Sequence, residues 1–201
     1  MERTGHPIAA AVGFFATTNV EDFVSLTVLF LSWHTNGQPR PWHIVTGYYA
    51  GYLTLVATTV IAAAGLTLVP KGWVGLLGLV PLSLGIRKLL TARDGNPHKA
   101  PAMAFGPLPA MAITLGNGAD NLSLYPPVFR TMSRAEVSLT IAVFLAMAAV
   151  WCATAAAVGG HKTVVKAVER VGHLLTPVVY IAIGIWILIQ SGAIDHLVGL
   201  L

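Results

Sequence analysis

Six apolar runs, roughly Ile8–Trp33, Ile44–Val69, Trp73–Leu90, Ala102–Val128, Val137–Val158 and Leu174–Gln190, leave this chain little choice of fold. A helix crosses the hydrocarbon of a bilayer with about 20 apolar residues, within a range of roughly 17–25. Each run is of that order, and the connections are too short to hold a separate soluble unit. The expected fold class is therefore an all-α membrane protein, a single transmembrane domain over residues 1–201 with six transmembrane helices. Composition points the same way, because 10% of the residues are charged where a soluble domain carries about a quarter. Arg87 and Lys88 end the third run and can reach the interface by snorkelling. Pro177 is expected in the first turn of the sixth helix, where a missing N–H costs little.

The basic residues give an orientation. With the N-terminus outside, Arg40, Arg87, Lys88, Arg93, Lys99, Lys162, Lys166 and Arg170 fall inside, against Arg3, Lys71, Arg130 and Arg134 outside. The excess of positive charge belongs on the cytoplasmic side, so both termini are expected to be extracytoplasmic in a multi-pass protein of the cell membrane. The net charge of +4 thus reports orientation and a lipid bilayer rather than a nucleic-acid partner. Cys152 is the one cysteine, which excludes an intramolecular disulfide and a Cys-rich metal cage. Met1–Pro7 lacks the basic start of a cleavable signal peptide, and none is expected. Trp33, Trp42 and Trp73 stand at run edges, as an aromatic belt predicts.

One phrase occurs twice. In "ATTNVEDFVSL", Ala16–Leu26, and "LGNGADNLSLYPP", Leu115–Pro127, the pattern N-x-x-D-x-x-S-L repeats at an offset of 98 residues. Asn19 matches Asn117, Asp22 matches Asp120, Ser25 matches Ser123 and Leu26 matches Leu124. The reading is two repeats, residues 1–92 and 101–201, joined by a linker at 93–100 within "TARDGNPHKAP". Three spans per repeat is an odd number, so the second must enter the membrane from the opposite side. Such inverted three-helix repeats place a binding site near the midplane where they meet.

Free energy decides what the acids face. A carboxylate at the centre of a membrane helix costs about 2.5–3.5 kcal/mol, so Glu21, Asp22 and Asp120 turned to lipid would cost roughly 8–10 kcal/mol, comparable to the stability of a whole domain. They must face each other, water or a cation. Asn19, Asp22 and Ser25 share one helix face, as do Asn117, Asp120 and Ser123. Glu21 is turned about 100° from Asp22 and lines the approach. Gly116, Gly118 and Pro126–Pro127 break the second helix and free carbonyl oxygens, which interrupted helices supply to cations. The bland reading, an Asn–Asp network that only fastens helices, spends more charge than fastening needs.

Carboxylates, amide oxygens of Asn19, Asn117 and Asn121, and hydroxyls of Thr17, Thr18, Ser25 and Ser123 form an oxygen-rich anionic site suited to a divalent cation. Carboxyl ligands must lose their protons to take a metal, so proton exchange is a natural partner reaction. Cys152 and Met111 are candidate sulfur accessories, each more simply an apolar filler. Six of the histidines, His6, His34, His43, His98, His161 and His196, and with them His173, lie in connections or at span ends. Ordinary interfacial placement accounts for them, and metal collection at the inner mouth is the alternative for His34, His43, His98 and His161.

The segments "TTNVEDFVSL", "GYLTLV" at Gly51–Val56, "LLGLVPLSLGIRKLL" at Leu76–Leu90 and "ITLGNGADNLSLYPPVF" at Ile113–Phe129 resemble the cadmium-resistance transporter (Cad) family of the lysine-exporter superfamily. The similarity runs through nearly the whole chain. It implies six spans in two inverted three-helix repeats and efflux of Cd²⁺, with Zn²⁺ as a second substrate and no resident cofactor. It implies a metal site at Asn19, Glu21, Asp22, Asn117, Asp120 and Asn121. Cadmium favours thiolate while the phrase offers oxygen, a tension that weak binding in a carrier tolerates. Three other readings compete. An intramembrane aspartyl protease would share one proton between the acids, but the flanking sequences do not fit and no enzyme is expected. An amino-acid exporter of the same superfamily, or a membrane protein delivering metal to exported proteins, are the others. A homo-oligomer is compatible with all of these.

Overall fold

The computed structural model describes residues 5–68, 79–91 and 106–190. Among these residues the chain is helical, without strands, in eight helices. They are α1 (Gly5–Thr18), α2 (Val20–Asn36), α3 (Pro41–Leu66), α4 (Leu79–Thr91), α5 (Pro107–Gly118), α6 (Asn121–Thr131), α7 (Arg134–Val158) and α8 (Lys162–Gln190). By length and composition α3 and α7 can each cross a membrane, and α1 with α2 makes a third candidate, bent by 60°. The expected linker at 93–100 lies outside the described residues.

The bend at Asn19 follows from three consecutive polar side chains. Thr17 Oγ1 donates to Gly13 O (2.8 Å), Thr18 Oγ1 to Phe14 O (2.7 Å) and Asn19 Nδ2 to Phe15 O (2.9 Å). Each hydrogen bond loads a carbonyl that already serves the helix, and such back-bonding opens the turn on one side. Asn19 departs to φ −110°, ψ 24°, and α2 leaves in a new direction. The α5–α6 break has another origin. Gly116 and Gly118 lower helical preference ahead of it, Ala119 and Asp120 keep right-handed helical dihedrals, and Leu122 N and Ser123 N reach back only three residues, to Ala119 O and Asp120 O. Further along, Pro126 and Pro127, both buried inside α6, cannot donate to the carbonyls of Leu122 and Ser123.

Other boundaries follow ordinary chemistry. Gly37 ends α2 with φ 69°, its N–H reaching Trp33 O at 2.8 Å, a conformation that favours glycine. Pro41 opens α3. Ser133 and Glu136 cap α7 reciprocally: Glu136 N donates to Ser133 Oγ (3.3 Å) and Ser133 N to Glu136 Oε2 (2.7 Å). The sixth run corrects the expectation for Pro177. Helix α8 starts at Lys162, so Pro177 is interior rather than in a first turn. The stretch Lys162–His173 carries Lys166, Glu169 and Arg170, which hide it from an apolar search while leaving its helix propensity intact.

Packing between helices crosses the two halves of the sequence. Helix α3 lies against α5 and α6, and α7 lies against α1 and α2. A Cβ on Gly47 would collide with Pro107 O and Ala110, one on Gly51 would come within 2.9 Å of Met111 O, and one on Gly118 would collide with Leu55. The rising numbers on both sides show that α3 and α5 run in the same direction, touching through the small-xxx-small pair Gly47 and Gly51. On the other flank Phe144 meets Phe15 (5.6 Å between ring centres), Trp151 meets Phe23 (4.9 Å), and Gly159 abuts Phe30. Helix α7 therefore runs parallel to α1–α2. Without a hydrophobic drive between helices in lipid, this close fit is what holds them. Phe15, Tyr48, Tyr52, Leu124, Tyr125 and Phe144 form the centre, while Leu53, Ile61 and Val150 face outward.

Candidate cation site between two broken helices

The bend in the first phrase and the interruption in the second lie side by side. Asn117 Nδ2, at the end of α5, points to three oxygens of α2: Ser25 Oγ at 2.9 Å, Asp22 Oδ1 at 3.0 Å and Glu21 O at 3.3 Å. Asp22 stands in the first turn of α2, just past the bend, and is 3% exposed. Its other oxygen, Oδ2, is buried with no hydrogen-bond partner among the described residues.

Beside this lies an amide and hydroxyl clasp. Asn19 Nδ2 donates to Tyr125 OH (2.8 Å) and Thr18 Oγ1 (3.0 Å), and Thr18 Oγ1 pairs with Tyr125 OH at 2.7 Å. Asn121 Nδ2 donates to Asn19 Oδ1 (3.4 Å), and Tyr180 OH to Asn121 Oδ1 (3.3 Å). Trp151 Nε1 caps the bend by donating to Asn19 O at 3.0 Å. Helices α1, α6, α7 and α8 are thus tied to one residue or its neighbour. Buried polar networks of this kind fix geometry when every member is satisfied.

Of the residues the sequence singled out, Asn19, Asp22, Ser25, Thr18, Asn117 and Asn121 are in direct contact across the halves. Asp120 and Glu21 are half-buried, and together with Asp22 they lie within electrostatic reach of the Tyr180 hydroxyl. Asp22 is hydrogen-bonded from the second half by Asn117, not by Asp120. Ser123 Oγ turns back to Asp120 O at 2.6 Å and stays local. Thr17 likewise serves its own helix. Cys152 is buried on α7 within electrostatic reach of Asp22 and Tyr48. Met111 is half-buried with its backbone against Gly51.

Among the described residues no three His, Cys, Asp or Glu side chains gather as a metal cage. Any cation held here would rest on one or two carboxylates helped by amide, carbonyl and hydroxyl oxygens, a hard donor set. His34 is exposed in the last turn of α2, His161 is exposed beyond the end of α7, and His43 is half-buried in the first turn of α3. His98 and His196, and the side chains of His6 and His173, lie outside the described residues.

Sequence reasoning missed Tyr125, Trp151 and Tyr180. Tyr125 had a signal: Asn117, Asn121 and Tyr125 recur at every fourth residue, one polar stripe through an apolar run. Trp151 and Tyr180 had none, since their contacts are long-range.

Comparison with known families gives one match. The model of the Cad family, described as cadmium resistance transporter, matches residues 15–200, nearly the whole chain. No curated protein and no solved structure matches.

Proposed function

The chain belongs to the cadmium resistance transporter family, and from that premise we propose that it exports divalent heavy-metal cations, Cd²⁺ first and Zn²⁺ second, in exchange for protons. The proposed frame is six spans in the cell membrane, both termini extracytoplasmic, built as inverted three-helix repeats over 1–92 and 101–201. Reciprocal packing supports it: α3 lies on the broken span of the second half as α7 lies on the broken span of the first.

The observation that carries the reading is the convergence of Asp22 Oδ1, Ser25 Oγ and Glu21 O on the single nitrogen of Asn117. That nitrogen sits where a cation would. Turning the Asn117 amide over would replace its donor by Oδ1 and complete a four-oxygen set, with Asp22 Oδ2 in reserve. Asn19, Asp120 and Asn121 hold or approach the same region from the two phrases, Thr18 and Ser123 steady it, and Cys152 is a soft group near Asp22. Weak binding of this kind suits a carrier, whose ion must also leave. Because carboxyl ligands bind metal only when deprotonated, loading releases protons and couples the two flows.

The test is transport by the purified protein in liposomes loaded with a pH dye, across Cd²⁺, Zn²⁺, Mn²⁺ and Ca²⁺. Cadmium uptake with opposite proton movement is expected. Asp22→Ala and Asp120→Ala should each abolish it while still inserting in the membrane. No metal movement by the wild-type protein would leave delivery of metal to other proteins as the better reading. Cadmium uptake without proton movement would remove the exchange.

A further inference from the structure

Five buried side-chain polar atoms find no hydrogen-bond partner among the described residues: Asp22 Oδ2, His43 Nδ1, Tyr48 OH, Tyr52 OH and Thr59 Oγ1. Three of them share one stripe of α3. At about 100° and 1.5 Å per residue, Tyr48, Tyr52 and Thr59 fall within roughly 40° of one another and span roughly 16 Å along the axis. All three are essentially sealed, at 1%, 1% and 0% exposure. The Tyr48 and Tyr52 rings are neighbours, with centres 5.9 Å apart. Asp22 lies within electrostatic reach of both. Tyr52 also lies near Tyr125, without forming a well-aligned hydrogen bond to it.

Thr59 shows that this is not simply what hydroxyls do in α3. Thr46, Thr54 and Thr58, on its exposed faces, each donate to the carbonyl four residues back, at 2.6, 2.8 and 2.8 Å. That is how a membrane helix usually silences such a group. Thr59, buried deeper than any of them, does not. Buried polar groups nearly always have a partner, in protein or in ordered water. One metal ion cannot serve this row, because ligands stand about 2.3–2.6 Å from a cation and the row is several times longer.

We propose that the buried face of α3 lines a narrow file of water running from Asp22 past Tyr48 and Tyr52 to Thr59, along which the cation passes between Asp22 and the C-terminal end of α3. The hydroxyls replace, one after another, the hydration a divalent ion gives up at Asp22. The cation's use of the file rests on the transport reading above; the water itself does not.

X-ray hydroxyl-radical footprinting in lipid nanodiscs tests the water directly, since it labels side chains that touch bound water. Tyr48 and Tyr52 should be labelled several-fold faster than Tyr125, which is equally buried but held by Thr18 and Asn19. Equal protection of all three overturns the file, whatever the protein transports. The second arm uses Tyr52→Phe and Thr59→Val with radioactive cadmium. Equilibrium binding should stay at the wild-type level while uptake slows roughly tenfold, on the scale of one lost hydrogen-bonding contact. Wild-type uptake rates in both variants overturn the cation's use of the file. Labelled tyrosines in a wild-type protein that moves no metal uphold the file and defeat the transport reading instead.

Discussion

The repeated phrase is spelled alike in its two copies and lives in two different surroundings. In the first, Asn19 and Asp22 are buried, at 1% and 3% exposure, and the helix is bent by side chains that tug on their own backbone. In the second, Asn117 and Asp120 are half-buried, and the interruption lies between two glycines and two prolines, with Ala119 and Asp120 still in helical dihedrals. The first copy is tied down by Tyr125, Asn121 and Trp151. The second reaches across through the amides of Asn117 and Asn121. The difference teaches that a duplicated motif need not keep duplicate surroundings: here one copy is sealed and anchored and the other is a half-buried, looser arm.

The largest effect expected from this contrast is on metal affinity. Asp22→Ala should weaken cadmium binding by roughly 100-fold or more and Asp120→Ala by roughly tenfold, as titrations on detergent-solubilised protein would read. Equal losses would mean that the copies are functionally equivalent. Stability should split in the same sense. Asn19→Ala leaves the Tyr125 hydroxyl with Thr18 alone and strands the Asn121 Nδ2 amide, and should cost about 2–3 kcal/mol in mixed-micelle unfolding, against about 1 kcal/mol for Asn117→Ala. The smallest effect is a gain. A Cβ on Gly116 meets nothing within 4 Å, so Gly116→Ala should stabilise α5 by about 0.5–1 kcal/mol. If the looseness of that arm serves transport, the same variant should carry metal more slowly despite its stability, which a flux assay would read.

Much of this was legible in the chain. The acids announced an inward-facing site, because a carboxylate inside an apolar run must be turned from lipid, and the shared spacing announced that the copies meet. The bend at Asn19 was not expected, since Ile8–Trp33 reads as one unbroken run. The Gly47 and Gly51 pair was in plain sight, although only the fold shows which helix it admits. What stayed hidden depends on distance along the chain. Nothing local says that Asp22 is met by Asn117 rather than Asp120, or that Tyr180 and Trp151 close over the first bend. Residues Lys162–His173 were hidden for another reason: their charges break the apolar pattern without breaking the helix.

The parallel seam between α3 and α5 has a consequence for how this protein is made. Ribosomes deliver Gly47 and Gly51 to the membrane well before Pro107 and Met111 exist, so the notch on α3 waits unfilled while the linker and next span are synthesised. A nascent chain stalled after Thr91 would present that notch, and the acid at Asp22, to lipid or to quality-control proteases. The seam can close only after both halves have been made.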